Sequence, residues 1–192
     1  MTRIISGEAK GRRLSVPPAG TRPTSDRVRE SVFSILEHRI DFADQVVVDL
    51  FAGSGALGLE ALSRGARSAI FVESHRGAAK VISANLAIVG GVGEVTVTDV
   101  ARFVRQLAAP DNDAFTLVFA DPPYDVPVDQ VSQLMGEFIA SGQVADDAVF
   151  VIETRAPRAN DQVLQLPDEL EVDVTRTYGD TQIHVADLVR SR

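Results

Sequence analysis

Residues 46–65 read VVVDLFAGSGALGLEALSRG, and this stretch decides the fold. It opens with an apolar run interrupted by one acid, Asp49, the pattern of a strand buried on both faces. A glycine-rich turn follows, and then GALGLEALSRG, which reads as a helix ending near Gly65. Strand, turn and helix in that order begin a βαβ unit. Downstream the pattern repeats. AIFVE (69–73) precedes a helix over 76–89, GEVTVTD (93–99) a short helix to Leu107, and FTLVFAD (115–121) a helix near 128–140. DAVFVIET (147–154) is a fifth strand, and ELEVDVTRTYGDTQIHVADLV reads as an antiparallel hairpin around Tyr178-Gly179-Asp180. The expected class is α/β and Rossmann-like: a mostly parallel sheet covered on both faces, with the closing hairpin adding antiparallel edge strands.

Upstream, TRIIS (2–6) and RRLSV (12–16) are short strands around Gly7 and Gly11, a small hairpin. Pro17, Pro18, Gly20 and Pro23 break regular structure, and Thr24 or Ser25 then caps a helix with the stripe Val28, Val32, Ile35, Leu36. The Pro-rich 17–23 segment is the one plausible boundary. It divides a basic N-terminal extension, 1–23, from a main domain, 24–192.

The 192 residues carry 19 Lys and Arg against 27 Asp and Glu, a net charge of −8, with 45% hydrophobic residues. That balance excludes a wholly disordered or fibrous chain. The absence of cysteine excludes disulfides, thiolate metal sites and a Cys nucleophile. The scattered His38, His75 and His184 give no reason to expect a metal. No apolar run approaches the roughly 20 residues of a membrane span, and MTRIISGEAKGRR lacks the apolar core of a signal peptide, so a cytoplasmic protein is expected. Charge is uneven. Residues 1–39 hold eight basic side chains (Arg3, Lys10, Arg12, Arg13, Arg22, Arg27, Arg29, Arg39) against four acids, in a chain that is otherwise acidic. A basic head suits a polyanion, because Lys and Arg neutralise phosphates. A solvated surface with a chance excess of Arg would look the same.

Ligands of open α/β sheets bind beyond the carboxyl ends of the strands. Asp49, Glu73, Asp99 and Asp121 stand at those ends, one per βα unit. Any one alone could be a helix cap; four in phase favour a shared site. Gly53-Ser54-Gly55-Ala56-Leu57-Gly58 is a G-x-G-x-x-G turn, with Glu73 where a dinucleotide enzyme places its ribose acid. That motif alone fits NAD, a flavin or S-adenosylmethionine. The surrounding acids repel a diphosphate and suit a ligand carrying a sulfonium and an ammonium, which favours S-adenosylmethionine.

Asp121-Pro122-Pro123-Tyr124 follows a buried strand. Two prolines end the sheet and fix a rigid turn. The Asp121 carboxylate and the Pro122 carbonyl then offer two acceptors to an exocyclic base amine, and Tyr124 offers a face for the base to stack on.

VVDLFAGSGALGLEALSRGA (47–66), the FVE strand end and FADPPY (119–124) resemble class I S-adenosylmethionine-dependent methyltransferases acting on amino groups. More narrowly, RIISGEAKGRRL, RPTSDRVRESVFSIL and the terminal YGDTQIHV resemble the RsmD family, which methylates N2 of a guanine in 16S ribosomal RNA. The resemblance implies a seven-stranded sheet with a reversed last strand. It implies Asp49, Phe51, Ala52, Gly53, Ser54 and Gly55 along the methionine part of the donor, and Glu73 with Ser74 at the ribose. Asp99 and Val100 would meet the adenine, and Asp121, Pro122, Pro123 and Tyr124 the target guanine. Arg3, Lys10, Arg12, Arg13 and Arg22 would hold RNA. The implied partner is 16S rRNA in an assembling or assembled small subunit, acted on by a monomer without a metal. The helix usual before the final hairpin is expected to be truncated, because Pro157 and Pro167 leave little room for it. Three other readings remain: an N6-adenine methyltransferase on DNA or RNA, an NAD-dependent oxidoreductase, and a non-catalytic RNA-binding module.

Overall fold

The computed structural model describes residues 2–17, 25–107, 114–159, 161 and 163–189. Arg22 and the expected boundary at residues 23 and 24 lie outside them. The chain divides into two compact units, Met1–Val100 and Ala101–Arg192.

In the first unit, β1 (Thr2–Arg3) and β2 (Arg13–Leu14) form the antiparallel hairpin. Both strands are shorter than the five residues expected of each. The N–H groups of Ile5 and Ser6 go to the Glu60 carboxylate (2.8 and 2.9 Å), and that of Ser15 goes to Asn85 (2.8 Å). Side chains there replace the strand ladder. Then come α1 (Asp26–Glu37), a 3-10 turn at Phe42–Asp44 that the sequence reading did not expect, and β3 (Val46–Leu50). They are followed by α2 (Ala56–Ser63), β4 (Ser68–Glu73), α3 (Arg76–Val89) and β5 (Gly93–Val97). The strands run parallel in the order β5-β4-β3. Every residue of β3 is buried, as its apolar run requires.

Ser25 caps α1, its hydroxyl accepting from Val28 N, and Val28, Val32, Phe33 and Leu36 are buried. Arg29 is an interior residue of this helix. Its side chain is fully buried, with Nη2 donating to Arg3 O and to Asp26 Oδ1, both at 2.7 Å. The hairpin covers that face of α1 and converts a surface position into an interior one. The head is also fastened to α2. Glu60 is fully buried, Ser63 Oγ donates to Ser6 O (2.6 Å) and accepts from Ala9 N (3.0 Å), and Glu8 N reaches Ser63 O (2.7 Å). A Cβ on Gly7 would fall 1.7 Å from Ser63 O, so this seat admits only glycine. Arg64 closes the back of α2 by pairing with Glu60 and Glu37 and lying over the Phe33 ring at 4.7 Å.

The second unit holds α4, which begins at Val100 and ends at Gln106, then β6 (Phe115–Ala120), α5 (Val128–Ala140), β7 (Val144–Arg155), β8 (Leu170–Tyr178) and β9 (Thr181–Leu188). Its strand order is β6-β7-β9-β8. β6 and β7 are parallel, and β9 is antiparallel to both β7 and β8. The two units thus carry seven strands of a mostly parallel α/β fold closed by an antiparallel pair. The hairpin adds antiparallel strands at the sheet edge, as expected, with the later strand innermost. β9, buried at six of its eight positions, inserts beside β7 and leaves the more exposed β8 outermost. Among the described residues of 156–169 there is no helix.

Candidate functional site

The glycine turn after β3 is built by backbone strain and close packing. Phe51 takes a left-handed φ of 62°, unusual for a residue with a side chain, and Gly53 and Gly55 follow at 57° and 76°. Gly58 faces Phe71 of β4: a Cβ would lie 2.5 Å from the ring, so α2 approaches the sheet only because position 58 has no side chain. That is the packing role of the third glycine in the motif.

Two carboxylates hold the turn. Glu73, the last residue of β4, accepts from Gly53 N through Oε2 (2.9 Å) and from His75 N through Oε1 (2.7 Å). Four acceptor directions on a carboxylate minus two leave capacity for a ribose diol. Asp49 was expected at the strand end. It is the fourth residue of β3 and is 2% exposed, with Oδ2 accepting from Gly58 N at 2.9 Å. Burial pushes its pKa from 3.8 up to about 7, the Gly58 N–H opposes this, and the nearby Glu73 charge adds to the rise. The first turn of α2 therefore already gives one free N–H to a carboxyl group of the protein itself. A diphosphate would compete with Asp49 for that helix end, whereas a cation would relieve it. The donor set fits the sulfonium and ammonium of S-adenosylmethionine.

Ala52, Gly53, Ser54 and Gly55 are buried, Phe51 is half-buried and Ser74 is exposed. β5 stops at Val97, two residues short of the expected end, so Asp99 lies in the exposed connection before buried Val100. Thr98 N donates to Glu73 O (3.2 Å), which ties this connection to the end of β4. His75 caps α3, its Nδ1 accepting from Ala78 N. Sequence reasoning missed Asn85, whose buried amide donates to Ser54 O at 3.0 Å. An Asn within a helix carries no periodic signal of such a role.

In the second unit Asp121 follows β6 and is half-buried, Pro122 is buried, and Pro123 and Tyr124 are exposed. The Tyr124 hydroxyl lies 2.8 Å from Thr181 Oγ1 and 3.5 Å from Glu153 Oε1, and Thr181 Oγ1 donates to the same Glu153 oxygen at 3.4 Å. Burial raises the Tyr124 pKa, the Thr181 hydrogen bond opposes this, and the charges of Glu153, Asp121 and Asp180 add to the rise. The ring is thus pinned by its hydroxyl with its body accessible, and three acids surround it. Glu153 and Thr181, on β7 and β9, were not singled out from sequence; only the strand pairing brings them to Tyr124.

Of the basic head residues, Arg3, Lys10, Arg12 and Arg13 are exposed. Arg3 pairs with Asp26 at 3.8 Å, and Arg12 donates to Ile88 O at the end of α3. Among the described residues no group of three or more His, Asp or Glu side chains is placed to hold a metal ion, and no helix is long and apolar enough to cross a membrane.

Residues 2–187 match the family model described as conserved hypothetical protein 95. The chain is 39% identical over 154 residues to ribosomal RNA small subunit methyltransferase D of Escherichia coli, covering 79% of this chain and 74% of that one. It is 34% identical over 189 residues to protein YlbH of Bacillus subtilis, covering 95% and 97%. The solved structure of Escherichia coli yhhF superposes with a TM-score of 0.82 at 33% identity, covering 98% of both chains.

Proposed function

This chain belongs to the conserved hypothetical protein 95 family, the RsmD-type class I methyltransferases, and on that premise we propose that it methylates the exocyclic N2 of a guanine in 16S ribosomal RNA of the small subunit. The observation that carries the reading is Asp49: a buried carboxylate, pushed toward neutrality, that occupies the helix end a nucleotide diphosphate would need.

Bound S-adenosylmethionine supplies an electrophilic methyl on a sulfonium and leaves as S-adenosylhomocysteine. In this proposal Asp49 and the turn from Phe51 to Gly55 hold its methionine end, Glu73 and Ser74 the ribose, and Asp99 with Val100 the adenine. Asp121 and the Pro122 carbonyl accept the two N–H groups of the guanine amine. That grip turns the nitrogen lone pair outward and stabilises the positive charge growing on nitrogen; as the N–CH3 bond forms and the S–CH3 bond breaks, N2 sheds one proton to Asp121 or to water. Pro123 stiffens the turn, and Tyr124, pinned through Thr181, stacks on the base. An aromatic amine is a weak nucleophile, so positioning supplies much of the acceleration, of the order of 7–11 kcal/mol for well-oriented pairs. The base must leave its stack or already be unpaired to reach the turn. Arg3, Lys10, Arg12, Arg13 and Arg22 hold the flanking phosphates and set register. The methyl is already activated, so the reaction as written calls for no metal. The protein is proposed to act in the cytoplasm as a monomer.

Titration with S-adenosylhomocysteine and with NAD tests the cofactor: binding of the first alone is expected, and binding of NAD alone would overturn the reading. Tritiated-methyl transfer to undermodified small subunits, with Asp121→Ala as control, tests catalysis. Transfer is expected with the wild type only; none at all would favour an RNA-binding module.

A further inference from the structure

Asn85 joins two parts of the first unit that the proposed reaction uses for different ends. Its side chain is fully buried in α3. Oδ1 accepts from Ser15 N (2.8 Å), and Nδ2 donates to Ser15 O (2.9 Å) and to Ser54 O (3.0 Å). The amide thus spends both donor hydrogens and its acceptor oxygen. Ser15 follows β2 in the basic head, and one helical turn beyond Asn85 the Ile88 carbonyl receives the Arg12 guanidinium. The returning arm of the head therefore runs along α3, fastened at two points three residues apart on each segment. Ser54 sits between Gly53 and Gly55, both at positive φ. Such a turn has little side chain to fix it. Bonds from outside orient it, among them Val72 O on Ala52 N, Glu73 on Gly53 N and Asn85 on Ser54 O.

We infer that Asn85 is a positioning residue that couples the head to the methyl-donor turn, so that RNA held by the head and donor held by the turn strengthen each other's binding. The inference rests on the function proposed above. Coupling of this kind is reciprocal: whatever factor RNA adds to donor affinity, donor adds to RNA affinity. Asp keeps the acceptor for Ser15 N and loses both donors, and Ala loses all three bonds. Ser63 provides the contrast. It anchors the same head to α2 through Ser6 and Ala9 without reaching Ser54.

The test is calorimetric titration of S-adenosylhomocysteine into the full chain, alone and saturated with undermodified small-subunit RNA. It uses the wild type, Asn85→Asp, Asn85→Ala and Ser63→Ala, each checked for folding by circular dichroism. RNA is expected to tighten wild-type S-adenosylhomocysteine binding about tenfold, within the usual range of coupling factors. The factor falls to about one in both Asn85 variants and persists in Ser63→Ala even where its melting temperature drops. If Asn85→Ala does not fold, Asn85→Asp carries the comparison. The inference is overturned if the wild type shows no coupling, if Asn85→Asp keeps it, or if Ser63→Ala loses it equally. In those cases a wild type that binds both ligands leaves the functional reading standing. A wild type that binds no S-adenosylhomocysteine overturns the functional reading, and the inference with it.

Discussion

Replacing Asp49 with Asn should stabilise the folded protein while weakening donor binding. The fold raises the Asp49 pKa from 3.8 to about 7. Below about pH 4 the carboxyl is neutral in both folded and unfolded chains and costs nothing. Between there and pH 7 the unfolded chain has lost a proton that the folded chain keeps, so stability falls as pH rises. Above 7 the full cost applies, about 4 kcal/mol at about 1.4 kcal/mol per pH unit. Asn is neutral at every pH and its oxygen can still accept from Gly58 N. Its buried NH2 carries an offsetting cost of about 1–3 kcal/mol if unpaired, but that cost does not vary with pH. The informative quantity is therefore the change with pH. Between about pH 5.5 and about pH 8 the stability of the Asp49→Asn variant relative to wild type should rise by about 2 kcal/mol, roughly 4–8 °C in Tm for a chain of this size. Urea unfolding of both proteins at the two pH values measures it. An equal difference at both values would refute the claim that Asp49 is held near neutrality by burial. The same substitution should weaken S-adenosylmethionine binding by about 2 kcal/mol or more, the usual loss on truncating one side of a buried charge pair.

Donor affinity should rise with pH up to about 7 and then level, because the sulfonium draws Asp49 into its ionised form; proton release, read from binding heats in buffers of different ionisation enthalpy, checks this, and Asp49→Asn should abolish it. Gly58→Ala should cost about 1–3 kcal/mol in denaturant unfolding, since the new methyl meets the fully buried Phe71 ring; an unchanged midpoint would contradict the close packing. Asp121→Ala should lower kcat by about two to three orders of magnitude with S-adenosylhomocysteine affinity unchanged, and unimpaired turnover would remove Asp121 from the mechanism. Charge reversal at Arg12 and Arg13 should weaken RNA binding and lower the log–log salt slope by about 1.5, while donor affinity measured without RNA is spared; equal loss of both would count against a separate RNA-gripping head.

The central strands were legible because largely apolar runs such as 46–50 and 115–120, bounded by turn residues, suit a buried strand, and α1 because its apolar stripe and its Ser25 cap agree. The turn was legible for a similar reason: Gly53 and Gly55 answer to a positive φ that few other residues adopt, and Gly58 to close packing on Phe71. What sequence could not show depends on long-range partners. Arg29 looks like a surface helix residue until the hairpin covers it, and Ile5 and Ser6 look like strand until Glu60 takes their N–H groups. The place of β9 beside β7 follows from pairing across about 30 residues and leaves no local trace. Asn85, Glu153 and Thr181 belong to the same class: ordinary polar residues whose work appears only once distant segments meet.

The most direct measurement of the central claim is mass-spectrometric mapping of methylated nucleosides in undermodified 16S ribosomal RNA after incubation with the protein and S-adenosylmethionine. A single new N2-methylguanosine, absent with Asp121→Ala, is the predicted result. N6-methyladenosine in its place, or an unchanged nucleoside profile, would contradict it.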